Sequence, residues 1–132
     1  MCNRLLTPEL LEALKPFPLY SQEETKVTDQ TVITAFEIGS IRWYITEGNA
    51  EGDTFTFFGL VCGMSDTPEL GYINADELAA VTVDAYPHGF PRGVVYRVEP
   101  VQDFKPCKLK EIEDPRVKHY CDRMEVFYRR IE

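Results

Sequence analysis

The chain has 132 residues, of which 44% are hydrophobic and 27% are charged. This composition is typical of one folded domain and argues against general disorder. Its 22 acidic and 14 basic residues give a net charge of −8, which excludes a phosphate-binding surface over the whole protein and disfavours anionic membranes. No apolar run approaches the roughly 20 residues of a membrane span, and the N-terminus lacks a secretory signal. We therefore expect a soluble cytoplasmic protein.

The first predicted element is a short helix near the N-terminus. It begins at Thr7, whose hydroxyl can cap a helix, and a proline occupies the first helical position. Leucines on one stripe continue to Leu14, after which two prolines end the helix. The polar residues 20–30 are predicted to form a loop.

Three strands joined by short turns are predicted next, at residues 31–38, 41–47 and 54–62. The first is rich in β-branched residues, and Gly39-Ser40 is a plausible hairpin turn. Residues 48–53 contain the Gly, Asn and Asp typical of a second turn. The strand at 54–62 is apolar on both faces and is expected at the centre of the sheet. The pattern predicts an antiparallel meander.

The second half of the chain adds two helices and another strand. Asn74 can cap a short helix at 75–81, an irregular loop is expected at 83–93, and a strand at 94–98. Asp114 and the following proline begin an amphipathic helix at 115–131. Its apolar stripe is expected to pack on the sheet and comprises Val117, Tyr120, Cys121, Met124, Phe127, Tyr128 and Ile131.

These elements define an α+β fold within a single domain, residues 1–132. We expect an antiparallel sheet of four or five strands, with the N-terminal, middle and C-terminal helices packed on it. Residues 1–99 form an acidic sheet body with 15 acidic and 6 basic residues, a net charge of −9. Residues 100–132 form a C-terminal arm with 7 acidic and 8 basic residues.

No sequence motif for catalysis or cofactor binding is present. The chain lacks a G-x-S-x-G nucleophile elbow and both common phosphate-binding glycine patterns. It has two histidines, and its cysteines form no C-x-x-C pair. We expect no cofactor and no metal site. The cysteines are predicted to be free thiols, with two of them acting as small core residues; the four are Cys2, Cys62, Cys107 and Cys121, and the core pair is Cys62 and Cys121.

Aromatic residues are concentrated on the predicted strands at Trp43, Tyr44, Phe55, Phe57 and Phe58. Sheet aromatics can stack on nucleic-acid bases. Here Arg42 is the only interleaved basic residue, so the pattern favours a hydrophobic core over single-strand binding.

Carboxylates in the predicted turns are the most visible polar feature. Glu47, Glu51 and Asp53 cluster at one turn, and Asp66 and Glu69 occupy the next loop. Three interpretations are open: a solvated surface, a protein-binding patch, or a metal or catalytic site. An anionic domain can present such carboxylates to a basic groove on a partner protein and compete there with nucleic acid. We take these five residues as the candidate protein-binding site.

Four segments resemble a small bacterial family of domains of unknown function. They are LLTPELLEALKPFPLYSQE (5–23), WYITE (43–47), GDTFTFFGLVCG (52–63) and ELGYINADEL (69–78). The resemblance spans about residues 4–100; the loop at 84–92 and the helix at 115–131 lie outside the recognised pattern. Members of this family occur on plasmids, phages and other mobile elements, often beside conjugation or antirestriction genes. The resemblance implies a genetic setting but assigns no activity and no catalytic residue.

The sequence therefore predicts a non-enzymatic, acidic protein-binding module that does not contact nucleic acid or membranes directly. The resemblance implies an accessory protein of a phage or plasmid that engages a host or element-encoded protein. An inhibitor of nucleic-acid-handling defence machinery, of the anti-CRISPR or antirestriction type, is one form of this hypothesis. The first alternative is a metal-assisted hydrolase or nuclease that uses the turn carboxylates. The second is a structural subunit or homodimer built through the last helix.

Overall fold

The computed structural model describes residues 3–131, in which nine β-strands are arranged in three sheets. The strands are β1 (Thr31–Val32), β2 (Thr34–Ile38), β3 (Ile41–Glu51), β4 (Thr54–Cys62), β5 (Glu69–Asn74), β6 (Thr82–Asp84), β7 (Val95–Arg97), β8 (Glu99–Pro100) and β9 (Cys107–Lys108). The main sheet has five antiparallel strands in the order β5-β4-β3-β2-β8, while β1 pairs with β9 and β6 pairs with β7. The predicted meander is confirmed, and β8 extends it beyond β2.

Three α-helices accompany the sheets: α1 (Pro8–Leu14), α2 (Ala75–Ala79) and α3 (Pro115–Ile131). Each has the cap that the sequence predicts. Thr7 Oγ1 accepts a hydrogen bond from the Leu10 N–H at 3.1 Å, and Asn74 Oδ1 accepts from two N–H groups of α2. Asp114 Oδ1 accepts from the Arg116 N–H at 2.9 Å. These caps satisfy N–H groups that have no partner within a helix. The α+β prediction is therefore confirmed, although α2 ends two residues early.

Helices cover both faces of the main sheet, which we call the α1/α2 face and the α3 face. The α1/α2 face carries Leu10, Leu14 and Leu78 from the helices against Trp43, Ile45, Phe55 and Phe57 from the strands. The α3 face carries Val117 and Cys121 from α3 against Tyr44, Leu60 and Cys62. The core interpretation of Trp43, Tyr44, Phe55 and Phe57 is confirmed, as is that of Cys62 and Cys121. Phe58 is half-buried and packs its ring 4.9 Å from that of Tyr72.

Strand β3 continues to Glu51, so the predicted turn at 48–53 shrinks to Gly52 and Asp53. A β-bulge at Thr46 separates the pairs Ile45–Gly59 and Glu47–Phe58. Because one extra residue reverses the alternation of side chains, residues after the bulge face the opposite side from the one expected. Glu47 therefore lies on the α3 face, opposite Phe58.

The polar segment 20–30 is a loop, as predicted, but much of it is buried. Gln22, Thr28 and Gln30 are each less than 9% exposed. The Gln22 side chain donates to the carbonyls of Thr31 and Thr46 at 2.9 and 2.8 Å. The loop is thus tied to β1 and β3 through side-chain hydrogen bonds, which a composition of polar residues does not reveal.

Two predictions for the second half need correction. Residues 83–93 are not wholly irregular, because β6 and β7 form a hairpin that encloses a 3-10 turn at Tyr86–His88. The apolar stripe of α3 packs only in part: Val117 and Cys121 are buried and Tyr120, Met124 and Tyr128 are partly buried, whereas Phe127 and Ile131 are exposed. None of the helices in residues 3–131 has the length and apolarity needed to cross a bilayer.

Candidate protein-binding site

The five predicted site residues do not form one patch. Glu47 is only 5% exposed, so its predicted exposure is wrong. Its Oε1 accepts a hydrogen bond from the Tyr20 N–H at 2.9 Å, and its Oε2 accepts one from the Gln22 N–H at 2.8 Å. A carboxylate that accepts hydrogen bonds from two backbone N–H groups inside the protein stabilises the fold. It fixes the start of the polar loop against β3.

The other four carboxylates are exposed but lie at opposite ends of β4. Glu51 ends β3 and Asp53 lies in the β3–β4 turn, whereas Asp66 belongs to the β4–β5 connection and Glu69 begins β5. The eight steps between the nine residues of β4, at about 3.3 Å each, separate these ends by about 26 Å. The two pairs therefore cannot act on one small ligand or one metal ion.

A groove of about 510 Å³ lies beside the second pair, between β5 and α2. We call it the β5 groove. All six residues of β5 line it, together with residues of β3, β4, the β4–β5 connection and the α2 region. These are Trp43, Val61, Met64, Ser65, Glu77, Leu78 and Val81. Its lining is mostly apolar, and its volume lies within the range of ligand-binding clefts.

Strand register places two glycines next to each other on the α1/α2 face, and one of them, Gly71, lines the β5 groove. On the α1/α2 face the cross-strand row Ile45–Gly59–Gly71 follows the row Trp43–Val61–Glu69. Residues directly opposite each other in antiparallel strands share a face, so the two glycines leave β4 and β5 without a side chain in that row.

The two glycines have different causes. A Cβ on Gly59 would overlap the Tyr44 carbonyl oxygen beside the bulge, so the fold requires glycine there. A Cβ on Gly71 would meet nothing within 4 Å, and its φ is not in the left-handed region. The fold therefore does not require glycine at position 71. A glycine inside a strand without a steric cause is typical of a place where another molecule approaches the backbone closely.

The rim of the β5 groove is acidic. Glu69 accepts a hydrogen bond from Ser65 Oγ at 3.2 Å, and Glu77 lies in the first turn of α2. Among residues 3–131, no lysine or arginine forms an ion pair with either carboxylate. Exposed apolar side chains adjoin this rim, with Met64 65% and Tyr72 58% exposed. The groove therefore offers apolar contact area next to uncompensated negative charge.

The most interconnected titratable groups lie elsewhere, where α3 meets the sheet. Tyr44 Oη donates to Asp114 Oδ2 at 2.8 Å, and Arg116 donates to both Asp114 oxygens. Partial burial opposes ionisation of Asp114, but the hydrogen bonds from Arg116 and Tyr44 outweigh it and lower the pKa of the carboxyl. Burial, followed by the same hydrogen bond to Asp114, raises the pKa of Tyr44. Arg116 also donates to the Ser40 carbonyl at 2.8 Å, so this cluster anchors α3 to the β2–β3 turn.

The cysteines in the described part of the chain are free thiols, and Cys2 lies outside it. Burial, and then the charge of Asp114, raises the pKa of Cys62 to about 11. Burial likewise raises the pKa of Cys121. Thiols with raised pKa values are poor nucleophiles at neutral pH. Within residues 3–131, no three His, Cys, Asp or Glu side chains converge in a metal-binding arrangement.

Comparison with known proteins adds no relative to this description. No protein-family model, no curated protein and no solved structure matches the chain. The fold and the groove define its class: an α+β protein with an apolar cleft, bordered by carboxylates, at the edge of its main sheet.

Sequence patterns single out Glu69 as a candidate but do not reveal the groove that it lines. Trp43 was assigned to the core, and only its position in the lining of the groove gives it a second role. Gly71 is the one sequence feature that could have indicated the groove, because an isolated glycine inside a strand pattern indicates a bulge or a close approach of another molecule to the backbone.

Proposed function

We propose that this protein is a non-enzymatic module that binds another protein through the β5 groove. One observation carries the proposal: an apolar cleft of about 510 Å³ bordered by carboxylates that have no basic partner within the described residues. Exposed apolar surface rimmed by polar groups is typical of interaction sites. The partner we expect is therefore apolar where it enters the groove and basic around it.

Charge supports the same proposal over a longer range. The sheet body carries a net charge of −9, which would speed association with a basic protein and make that association sensitive to salt. A partner that handles nucleic acid has such a basic surface. An acidic module seated on it would exclude the nucleic acid by occupying the same positive charges.

The resemblance to a family from mobile elements supplies the biological setting of the proposal. We infer that the module is an accessory protein of a phage or plasmid that acts in the cytoplasm on a host or element-encoded protein. Inhibition of defence machinery, of the anti-CRISPR or antirestriction type, is the form of this function that the acidic surface favours.

The rival hypothesis of a metal-assisted hydrolase or nuclease has no observation in its favour. It requires the turn carboxylates to converge on one ion, but Glu47 is engaged by backbone N–H groups and the remaining two pairs lie about 26 Å apart. The binding module requires only the carboxylates that line the groove, Glu69 and Glu77.

Charge reversal at the two ends of β4 tests the proposal. The variant Asp66→Lys/Glu69→Lys changes the charge beside the groove, and Glu51→Lys/Asp53→Lys makes the same change at the far end. We expect tagged wild-type protein and the far-end variant to capture the same host protein from lysate, and the groove variant to lose it. With that partner purified, the association rate should fall as NaCl increases. Equal capture by both variants would contradict a role for the groove.

A further inference from the structure

Strand β5 is the outer strand of the main sheet, and its free edge borders the β5 groove. It pairs with β4 from Glu69 to Asn74 and with no other strand in the described residues. In an antiparallel pair, alternate residues of an edge strand turn their N–H and C=O groups away from the neighbour. No other backbone hydrogen bond of the described chain uses these outward groups of β5. They are available to another extended chain.

Edge strands usually carry features that prevent further pairing, such as lysine, proline or a bulge. Strand β5 has the sequence ELGYIN and carries none of these. Its register with β4 is regular over six residue pairs. The strand therefore presents an uninterrupted template about 20 Å long.

Side chains on the two faces of β5 specify what a neighbouring strand would contact. Glu69, Gly71 and Ile73 point to the α1/α2 face, and Leu70 and Tyr72 point to the α3 face. On the first face a partner side chain finds open space above Gly71 and carboxylates at Glu69 and Glu77. On the second face it finds Leu70 and Tyr72, which are 39% and 58% exposed.

We propose that the partner contributes an extended segment that pairs with β5 as a sixth strand of the sheet. On the α1/α2 face the segment places an apolar side chain over Gly71 and a lysine or arginine beside Glu69 and Glu77. Backbone hydrogen bonds supply affinity in this mode of recognition, and pockets for alternate side chains supply specificity. The inference rests on the proposed binding function and adds its mechanism and the chemistry of the bound segment.

Selection from a displayed library of random dodecapeptides tests the occupant directly. We expect the enriched peptides to have the alternation of a β-strand. Every second residue would face the groove, and these positions would include apolar residues and a lysine or arginine. Affinity should fall by roughly tenfold or more in Asp66→Lys/Glu69→Lys. Enriched sequences with apolar residues at helical spacing, or the absence of any peptide that binds the groove, would overturn the inference.

Gly71→Val tests the groove within the same experiment. The valine enters open space and suits a strand, so we expect the variant to fold with a melting temperature no lower than that of the wild type. It should weaken the selected peptide by roughly tenfold or more, while the control Leu70→Val, on the α3 face, should change affinity less. A folded Gly71→Val that binds normally contradicts insertion over Gly71.

N-methylation of the selected peptide tests strand pairing without altering the protein. Methyl groups on alternate amides should abolish binding, and those on the intervening amides should be tolerated, because only every second amide faces β5. Equal tolerance at all positions would overturn strand pairing. If in that case charge reversal at Asp66 and Glu69 still abolished binding of the peptide, the groove would remain a protein-binding site. Only the proposal that the peptide pairs as a sixth strand would then be refuted.

Discussion

The buried carboxylate of Glu47 should contribute strongly to stability. Glu47→Gln keeps the size of the side chain but leaves one oxygen to accept from two N–H groups, those of Tyr20 and Gln22. The other N–H then faces the amide NH₂, which is also a donor. A hydrogen bond to a charged group contributes about 1.5–3 kcal/mol, and a buried donor left without a partner costs a similar amount. We expect the free energy of unfolding to fall by about 2–4 kcal/mol.

Equilibrium unfolding in urea measures this loss, and the single tryptophan provides the signal because Trp43 is 5% exposed in the folded protein. The matching thermal shift is a decrease of about 10 °C in melting temperature. The control is Glu51→Gln at an exposed position of the same strand, which should stay within about 0.5 kcal/mol of the wild type.

Hydrogen exchange locates the effect. The Tyr20 and Gln22 amides should exchange faster in Glu47→Gln than in the wild type, because they lose a charged acceptor. Tyr20 has a φ of 74°, a left-handed conformation that is uncommon for a residue other than glycine, so release of this contact also lets the loop relax. A Glu47→Gln variant that is as stable as Glu51→Gln would refute the structural task assigned to Glu47.

Three further predictions follow from the packing and the pKa shifts. Gly59→Ala should destabilise the protein by about 3 kcal/mol in urea unfolding, whereas Gly71→Ala should be neutral or stabilising by up to about 1 kcal/mol; similar values for both would contradict the bulge geometry. The pKa of Asp114 is lowered below 3.8 by folding, so the stability lost in Asp114→Asn should be full near neutral pH and shrink as the pH falls below that value. At pH 8, iodoacetamide should label Cys62 and Cys121 only after unfolding, as peptide mass mapping would show, because burial raises the pKa of both thiols.

Local signals in the sequence predicted most of the architecture. Caps at Thr7, Asn74 and Asp114 predicted the start of each helix, because a cap depends on neighbours within three residues. Strand alternation placed Trp43 and Tyr44 on opposite faces for the same reason. These features need no knowledge of distant parts of the chain.

Other features of the fold depend on distant contacts, and sequence patterns do not report them. The burial of Glu47 depends on amides about 25 residues earlier in the chain. The pairing of β8 with β2 joins Glu99 to Glu37 across 62 positions. The polar composition of residues 20–30 predicts a loop but does not show that Gln22 and Gln30 are buried in it.

The bulge at Thr46 connects the stability of the fold to the shape of the candidate site. Without the extra residue, Glu47 would share the α1/α2 face with Ile45 and place a carboxylate in an apolar core, at a cost of several kcal/mol. With it, Glu47 turns to the α3 face and finds two N–H donors. The same bulge brings the Tyr44 carbonyl against Gly59 and excludes any side chain there. The row that begins at Ile45 thus has no side chain at its β4 position. Its β5 position, Gly71, also lacks one and lines the groove, on the strand that we expect to bind the partner.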